Sequence, residues 1–208
     1  MEPLSRRQHL VELFSTVLLA VAAVATAWST YQSTQWRGEQ AVSTSRATAA
    51  RIESSEAATH AGQLTQVDIA TFVQWTDAHL TGDAGLATFY RRRFRPEFVP
   101  AFDAWIAQRP FTSRAAIPGP LYAPEYRLPE TARAAELDAR ADALYKAGTT
   151  AKTNDDRYIL STLFFAAVLF FAGISLRLAW RPLRYVVLGM AGALLLAGVV
   201  YVLTLPVA

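Results

Sequence analysis

The sequence contains no cysteine, and only two of its 20 basic residues are lysines. Without thiols the chain cannot form a disulfide framework, a thiolate metal site or a cysteine nucleophile. Proline is absent between Pro3 and Pro96, so nothing in this stretch forces a break in a helix. Charged residues are also missing from three apolar runs near the ends of the chain. This distribution is typical of a small multi-pass membrane protein rather than of a soluble globule.

Each of the three apolar runs has about the length of a membrane span. A hydrocarbon core of about 30 Å, crossed at a rise of about 1.5 Å per residue, needs about 20 residues. We predict transmembrane helices over residues 13–29, 158–176 and 185–205. Aromatic residues that favour the headgroup layer lie at or near the ends of these runs: Trp28, Tyr31, Tyr158, Trp180, Tyr185 and Tyr201.

The net charge of +3 comes entirely from the flanks of the apolar runs. Residues 36–157 carry fifteen basic and fifteen acidic side chains, whereas the excess of basic residues lies near the N-terminus and in residues 177–184. Short basic flanks of membrane helices stay in the cytoplasm. We therefore predict residues 1–12 as a cytoplasmic N-terminus, 30–157 as an extracytoplasmic domain, 177–184 as a cytoplasmic loop and 206–208 as an extracytoplasmic tail. The preference for arginine and alanine indicates a GC-rich bacterial genome, so we predict a bacterial inner membrane, and the neutral central segment gives no reason to expect nucleic-acid binding.

The first apolar run has two interpretations. It is either an uncleaved anchor or a cleaved twin-arginine-like signal, in which Arg6 and Arg7 precede an apolar run and Ala25-Thr26-Ala27 forms the cleavage site. The signal pattern is disturbed by His9, which stands at a usual aromatic position, and by Glu12. Both interpretations place the middle of the chain outside the cytoplasm.

The extracytoplasmic segment has helical periodicity. We predict an all-α fold in which long helices continue from the first and second spans as an antiparallel pair, with shorter helices between them. The first long helix runs to His60 or further, an amphipathic stretch covers residues 69–80, and a short helix covers residues 84–94 after a turn at Thr81-Gly82-Asp83. Residues 110–129 contain five prolines and are predicted as a loop. Pro129-Glu130 then begins the last outer helix.

The densest basic and aromatic cluster lies at residues 90–98, and we predict that it contacts a partner or lipid. Its cations suit anionic headgroups, an acidic partner or a polyanionic envelope polymer, and the spacing of its aromatic residues places them on one helix face. An alternative is a solvated face whose arginines pair with acids such as Glu97 and Asp103. The predicted contact residues are Arg91, Arg92, Arg93, Arg95, Phe94, Phe98, Phe102 and Trp105.

Motifs for enzyme chemistry are absent from the sequence. It contains no dinucleotide-binding fingerprint, P-loop, nucleophile elbow or EF-hand pattern. Its three histidines have no metal-ligand spacing, and Asp155 and Asp156 are predicted to mark a boundary between helix and membrane. We therefore expect no enzymatic activity, no cofactor and no metal.

Two segments resemble bacterial inner-membrane proteins that have no described activity: "YQSTQWRGEQA" at residues 31–41 and "DDRYILSTLFFAAVLFFAGIS" at residues 155–175. The resemblance implies the membrane layout and no catalytic residue. Our first functional hypothesis is a non-enzymatic scaffold or accessory subunit that binds a partner or envelope component through its outer domain. The alternatives are a homo-oligomeric channel and a membrane sensor with a helical periplasmic domain. The expected partners are the lipid bilayer and either another protein or further copies of the chain.

Overall fold

The structure is a computed structural model that describes residues 6–178 and 180–208. Residues 1–5 of the predicted cytoplasmic N-terminus and Ala179 of the predicted loop lie outside the described residues. Over the described part the chain is helical and has no strand. Its helices are α1 (Arg6–Leu80), α2 (Ala84–Arg91), α3 (Val99–Ala107), α4 (Pro129–Ser175) and α5 (Arg181–Leu203), with a 3-10 turn at Pro120–Tyr122. The predicted all-α fold is therefore confirmed for these residues.

Local sequence explains where the short elements begin and end. The turn after α1 contains Gly82 at a φ of +80°, a conformation that glycine adopts without strain. The Asp83 side chain accepts a hydrogen bond from the Leu86 amide at 2.9 Å and caps α2. Helix α2 begins at Ala84 as predicted but ends at Arg91, three residues before the predicted end. Helix α4 begins at Pro129, as the sequence predicts.

The chain divides into two compact units, which we describe separately. Unit 1 comprises Met1–Ser45 and Leu144–Ala208, and unit 2 comprises Arg46–Ala143. Helices α1, α4 and α5 each contain a stretch that is long and apolar enough to cross a membrane, so the prediction of three long apolar helices is also confirmed.

Unit 1 is held together by small and branched apolar side chains from three helices. Its core consists of Leu18 and Ala22 from α1, Val168 and Ala172 from α4, and Leu188 and Ala191 from α5. Helices α4 and α5 approach each other closely at Gly198, where a Cβ atom would lie only 2.9 Å from Cε1 of Phe165. Small residues at such positions let apolar helices pack without a hydrophobic driving force between them.

Unit 2 has an aromatic core. Its buried aromatic residues come from α1 and from the segment that contains α2 and α3: Trp75, Phe94, Phe98, Phe102 and Trp105. The Trp105 indole also donates a hydrogen bond to the Ile117 carbonyl at 3.0 Å, which fixes the proline-rich loop to this core. Within unit 2, α1 and α4 run antiparallel and contact each other through Arg51, which pairs with Asp142 at 2.6 Å and with Asp138 at 3.3 Å.

Candidate interaction surface

The arginines at the end of α2 have different surroundings, and two of them are paired within unit 2. Arg91 donates a hydrogen bond to Asp103 of α3 at 2.5 Å, and its guanidinium lies over the Phe102 ring, 4.9 Å from the ring centroid. Arg95 binds the carboxylates of Asp68 and Glu97 at 3.0 and 3.1 Å. The charges of Arg91 and Arg95 are therefore balanced by acids that include both Glu97 and Asp103.

Asp68 is the centre of a buried polar network. This residue of α1 is fully buried, and its Oδ2 atom accepts hydrogen bonds from Arg95 at 3.0 Å and from the Tyr126 hydroxyl at 2.9 Å. The Tyr126 oxygen also lies 3.2 Å from Oγ1 of Thr65. The second carboxylate oxygen, Oδ1, is buried and has no hydrogen-bond partner among the described residues. The network joins α1, the connection between α2 and α3, and the loop before α4.

Burial controls the ionisation of both acids in this network. Desolvation raises the pKa of Asp68 above its ordinary value of 3.8, although the Tyr126 hydrogen bond and the Arg95 charge act in the opposite direction. Desolvation also raises the pKa of Tyr126 to about 12. The phenol therefore keeps its proton at neutral pH and acts as a hydrogen-bond donor to Asp68.

The predicted aromatic contact face lies inside unit 2. The structure brings its four members together, but it buries them in the core: Phe94, Phe98, Phe102 and Trp105. Phe72 and Trp75 of α1 cover this face. The ring centroid of Phe72 lies 5.1 Å from that of Trp105, and the ring centroid of Trp75 lies 4.7 Å from that of Phe102. As core residues, the four aromatic side chains are not available to a partner that docks on the folded unit.

Arg92 and Arg93 point to solvent beside two exposed apolar residues. The Arg93 guanidinium lies over the Phe89 ring, 3.4 Å from its centroid. Leu86 and Phe89 are 41% and 45% exposed, whereas Ala87 and Tyr90 of the same helix pack against the core. Within the described part of the chain, neither Arg92 nor Arg93 has an acidic side chain within ion-pair distance. We call Leu86, Phe89, Arg92 and Arg93 the α2 patch.

Unit 1 contains a buried polar layer whose contacts the sequence did not predict. Asp155 is buried, accepts a hydrogen bond from the Ser33 hydroxyl at 2.5 Å and pairs with Arg37 at 3.3 Å. Local sequence patterns gave no signal for these contacts, because Ser33 and Arg37 lie 122 and 118 positions before Asp155. The predicted position of Asp155 and Asp156 at a boundary between helix and membrane does not by itself require that Asp155 contacts Ser33 and Arg37.

The last residues of the chain pack on the same layer. The Trp36 indole and the Tyr158 hydroxyl both donate hydrogen bonds to the Pro206 carbonyl, at 3.2 and 3.1 Å. The Gln32 side-chain oxygen accepts a hydrogen bond from the Ala208 amide at 3.0 Å. These bonds satisfy polar groups at the end of the apolar helices, where an unpaired donor or acceptor costs about 1–3 kcal/mol.

A groove in unit 1 has no polar lining residue that could bind or react with a polar substrate. It has a volume of about 470 Å³ and is lined by apolar side chains, including Val21, Val24, Trp28, Phe165 and Val199. Lipid chains normally cover such faces when they lie in a bilayer. No group of three or more histidine, aspartate or glutamate residues in the described ranges lies close enough together to hold a metal ion.

Comparison with known proteins adds no assignment. No family model, curated protein or solved structure matches the chain.

Proposed function

We propose that this chain is a non-enzymatic, multi-pass protein of the bacterial inner membrane, which acts as a scaffold or accessory subunit. Its extracytoplasmic helical domain, residues 30–157, binds a partner or envelope component. In this proposal α1 and α4 continue from the first and second spans into that domain. The basic flanks at residues 1–12 and 177–184 support the orientation, and the three long apolar helices support the membrane location.

The α2 patch is the observation that carries the proposed binding role. Of the four arginines predicted to make contacts, Arg91 and Arg95 are occupied by acids of unit 2, whereas Arg92 and Arg93 are exposed and form no ion pair with any described residue. Two large apolar side chains lie beside them and are exposed although unit 2 has a well-packed core. A contiguous exposed apolar patch with a charged rim is typical of interaction sites.

A non-enzymatic role is supported by the way in which unit 2 uses its ionisable groups. Its most perturbed carboxylate, Asp68, is enclosed by Arg95 and Tyr126 and joins structural segments. A perturbed carboxylate that serves catalysis normally lies in a cleft that substrate can enter. Asp68 has no exposed surface, so its position favours a structural role.

Site-specific photo-crosslinking tests the binding role. We expect that a photoreactive phenylalanine analogue at position 89 of the full chain, expressed in bacterial membranes, forms a discrete adduct. The same analogue at Tyr122, which is 72% exposed in unit 2 outside the patch, serves as the control and should form none. Charge reversal at both arginines of the patch (R92E/R93E) should abolish the position-89 adduct, since it removes both free cations.

Two results would contradict the proposed binding role. One is the absence of any adduct at position 89, whether to a protein or to a lipid, and the other is an adduct whose yield does not change in R92E/R93E. The fold should survive this double substitution because both side chains are exposed and make no ion pair within the described residues. An unchanged thermal unfolding curve of the purified variant would verify this.

A further inference from the structure

The α2 patch presents cations and apolar side chains together, and this combination indicates what kind of ligand it takes. This inference rests on the proposed function and deepens it. We infer that the α2 patch docks on the surface of a phospholipid bilayer that carries anionic headgroups. Arg92 and Arg93 bind lipid phosphates, while Leu86 and Phe89 enter the boundary between headgroups and acyl chains.

The cationic half of the patch suits phosphate. A guanidinium is planar, always charged and able to donate two parallel hydrogen bonds to one phosphate. The Arg93 side chain is held beside Phe89, because its guanidinium lies over the Phe89 ring and also donates a hydrogen bond to the Phe89 carbonyl at 3.3 Å. Arg92 is exposed beside it. The neighbouring arginines at positions 91 and 95 are neutralised by acids, so the free positive charge is concentrated on these two residues.

The apolar half of the patch suits the lipid boundary. Leu86 and Phe89 are three residues apart on α2 and therefore share one face, and Ala87 and Tyr90 on the neighbouring face pack against the core. Leucine and phenylalanine are the side chains that amphipathic helices bury at the boundary between headgroups and acyl chains, next to basic residues. The nearest acid at the start of α2, Asp83, is engaged by the Leu86 amide.

The small size of the patch favours a lipid surface over an acidic protein. A stable protein interface covers about 800 Å² on each partner, far more than four side chains provide. A bilayer needs no matching surface, because each basic residue near anionic lipid adds its own increment to binding. Charge complementarity and patch size together therefore point to a lipid surface.

Vesicle capture by the full-length protein tests this inference. The protein is held in nanodiscs of phosphatidylcholine and mixed with separate vesicles, either of pure phosphatidylcholine or rich in phosphatidylglycerol, and bound protein is measured by flotation. We expect capture by the anionic vesicles only, and less capture as salt rises. R92E/R93E should lower the affinity at least about 25-fold, since each arginine at an anionic surface is worth about fivefold and each introduced glutamate adds repulsion.

Two further variants separate the contributions to binding. L86S/F89S should weaken capture while leaving its salt dependence, because the cations remain. R133E/R140E makes the same change of charge at two arginines of unit 2 that are exposed on α4, and it should bind like the unmodified protein. A purely non-specific charge effect would instead weaken R133E/R140E as much as R92E/R93E, and that result would overturn the inference.

The remaining outcomes distinguish this inference from the proposed function. Equal capture by neutral and anionic vesicles, or no capture by either, overturns the lipid inference. If capture fails but the adduct at position 89 still forms with a protein and still depends on Arg92 and Arg93, the binding role stands and its ligand is an acidic protein. If both the adduct and vesicle capture are absent, the binding role fails together with the lipid inference.

Discussion

At the scale of single residues, the buried carboxylate of Asp68 connects α1 to two other segments of unit 2, through Arg95 and Tyr126. Removing one partner of a buried ion pair typically costs about 3–5 kcal/mol, because the other charge is left uncompensated. Asp68 and Arg95 form such a pair. The pair also specifies which loop packs on α1, since Tyr126 bonds to the same carboxylate oxygen.

The raised pKa of Asp68 predicts a particular dependence of stability on pH. The folded protein binds the Asp68 proton more tightly than the unfolded chain does. The resulting contribution to stability is fully present below pH 3.8, and it is lost as the pH rises through the higher folded-state pKa. Asp68→Asn cannot titrate, so its thermal unfolding temperature relative to the unmodified protein should increase as the pH rises from about 3.5 to 7.

Thermal unfolding of the purified full chain, followed by tryptophan fluorescence, measures this difference. Asp77→Asn, at an exposed position on the same helix, is the control for removing a carboxylate from α1. If the unmodified protein instead gained stability relative to Asp68→Asn as the pH rose, the folded state would favour the charged carboxylate. The assigned direction of the pKa shift would then be wrong.

Sequence reasoning could not find Asp68, for a physical reason. Within α1 it is one acidic residue beside an amphipathic stretch, and its partners lie 27 and 58 positions further along the chain. The exposed arginines Arg92 and Arg93 were, by contrast, partly predictable. The sequence identified the basic cluster at residues 91–95, but which arginines remain free depends on where Asp68 and Asp103 lie after folding.

At the scale of helices, the contact between α4 and α5 depends on Gly198. We predict that Gly198→Ala destabilises the protein by about 1–3 kcal/mol, the usual cost of overpacking. The added methyl group would lie 2.9 Å from the ring of Phe165, and that ring is fully buried. The loss should appear as a lower thermal unfolding temperature in detergent.

Gly189 on the same helix provides the matched control. A Cβ atom at this position meets no other atom within 4 Å, so Gly189→Ala should leave the unfolding temperature unchanged or raise it slightly through its higher helix propensity. Equal effects of the two substitutions would contradict a close approach of α4 and α5 at Gly198.

Helix patterns predicted some features of these elements and missed others for clear reasons. The start of α4 at Pro129 and the turn at Gly82 follow from local chemistry, and both were predictable. The spacing of Phe94, Phe98 and Phe102 predicted a single helix face, but Phe94 and Phe98 lie between α2 and α3, and it is the core of unit 2 that brings the three rings together. Periodicity does not reveal what covers a face, and here the cover comes from Phe72 and Trp75, about 20 or more residues earlier on α1.

At the scale of the whole molecule, the chain consists of an apolar three-helix unit and a helical unit that has its own core. The composition of the apolar runs was sufficient to predict the three long apolar helices. The buried layer around Asp155 could not be predicted in the same way, because its members come from α1, α4 and the last residues of the chain. Only folding brings these distant segments together.

The central claim is that residues 30–157 lie outside the cytoplasm on a membrane anchor, and labelling of single cysteines tests it most directly. The chain has no cysteine, so each substitution introduces the sole thiol. Ala115 and Ala132 are exposed in unit 2, and Leu183 is exposed in the predicted cytoplasmic loop. In intact bacterial spheroplasts, a membrane-impermeant maleimide should label Ala115→Cys and Ala132→Cys, and it should label Leu183→Cys only after the membrane is broken. Labelling of Leu183→Cys in intact spheroplasts, with both unit 2 positions protected, would contradict the account.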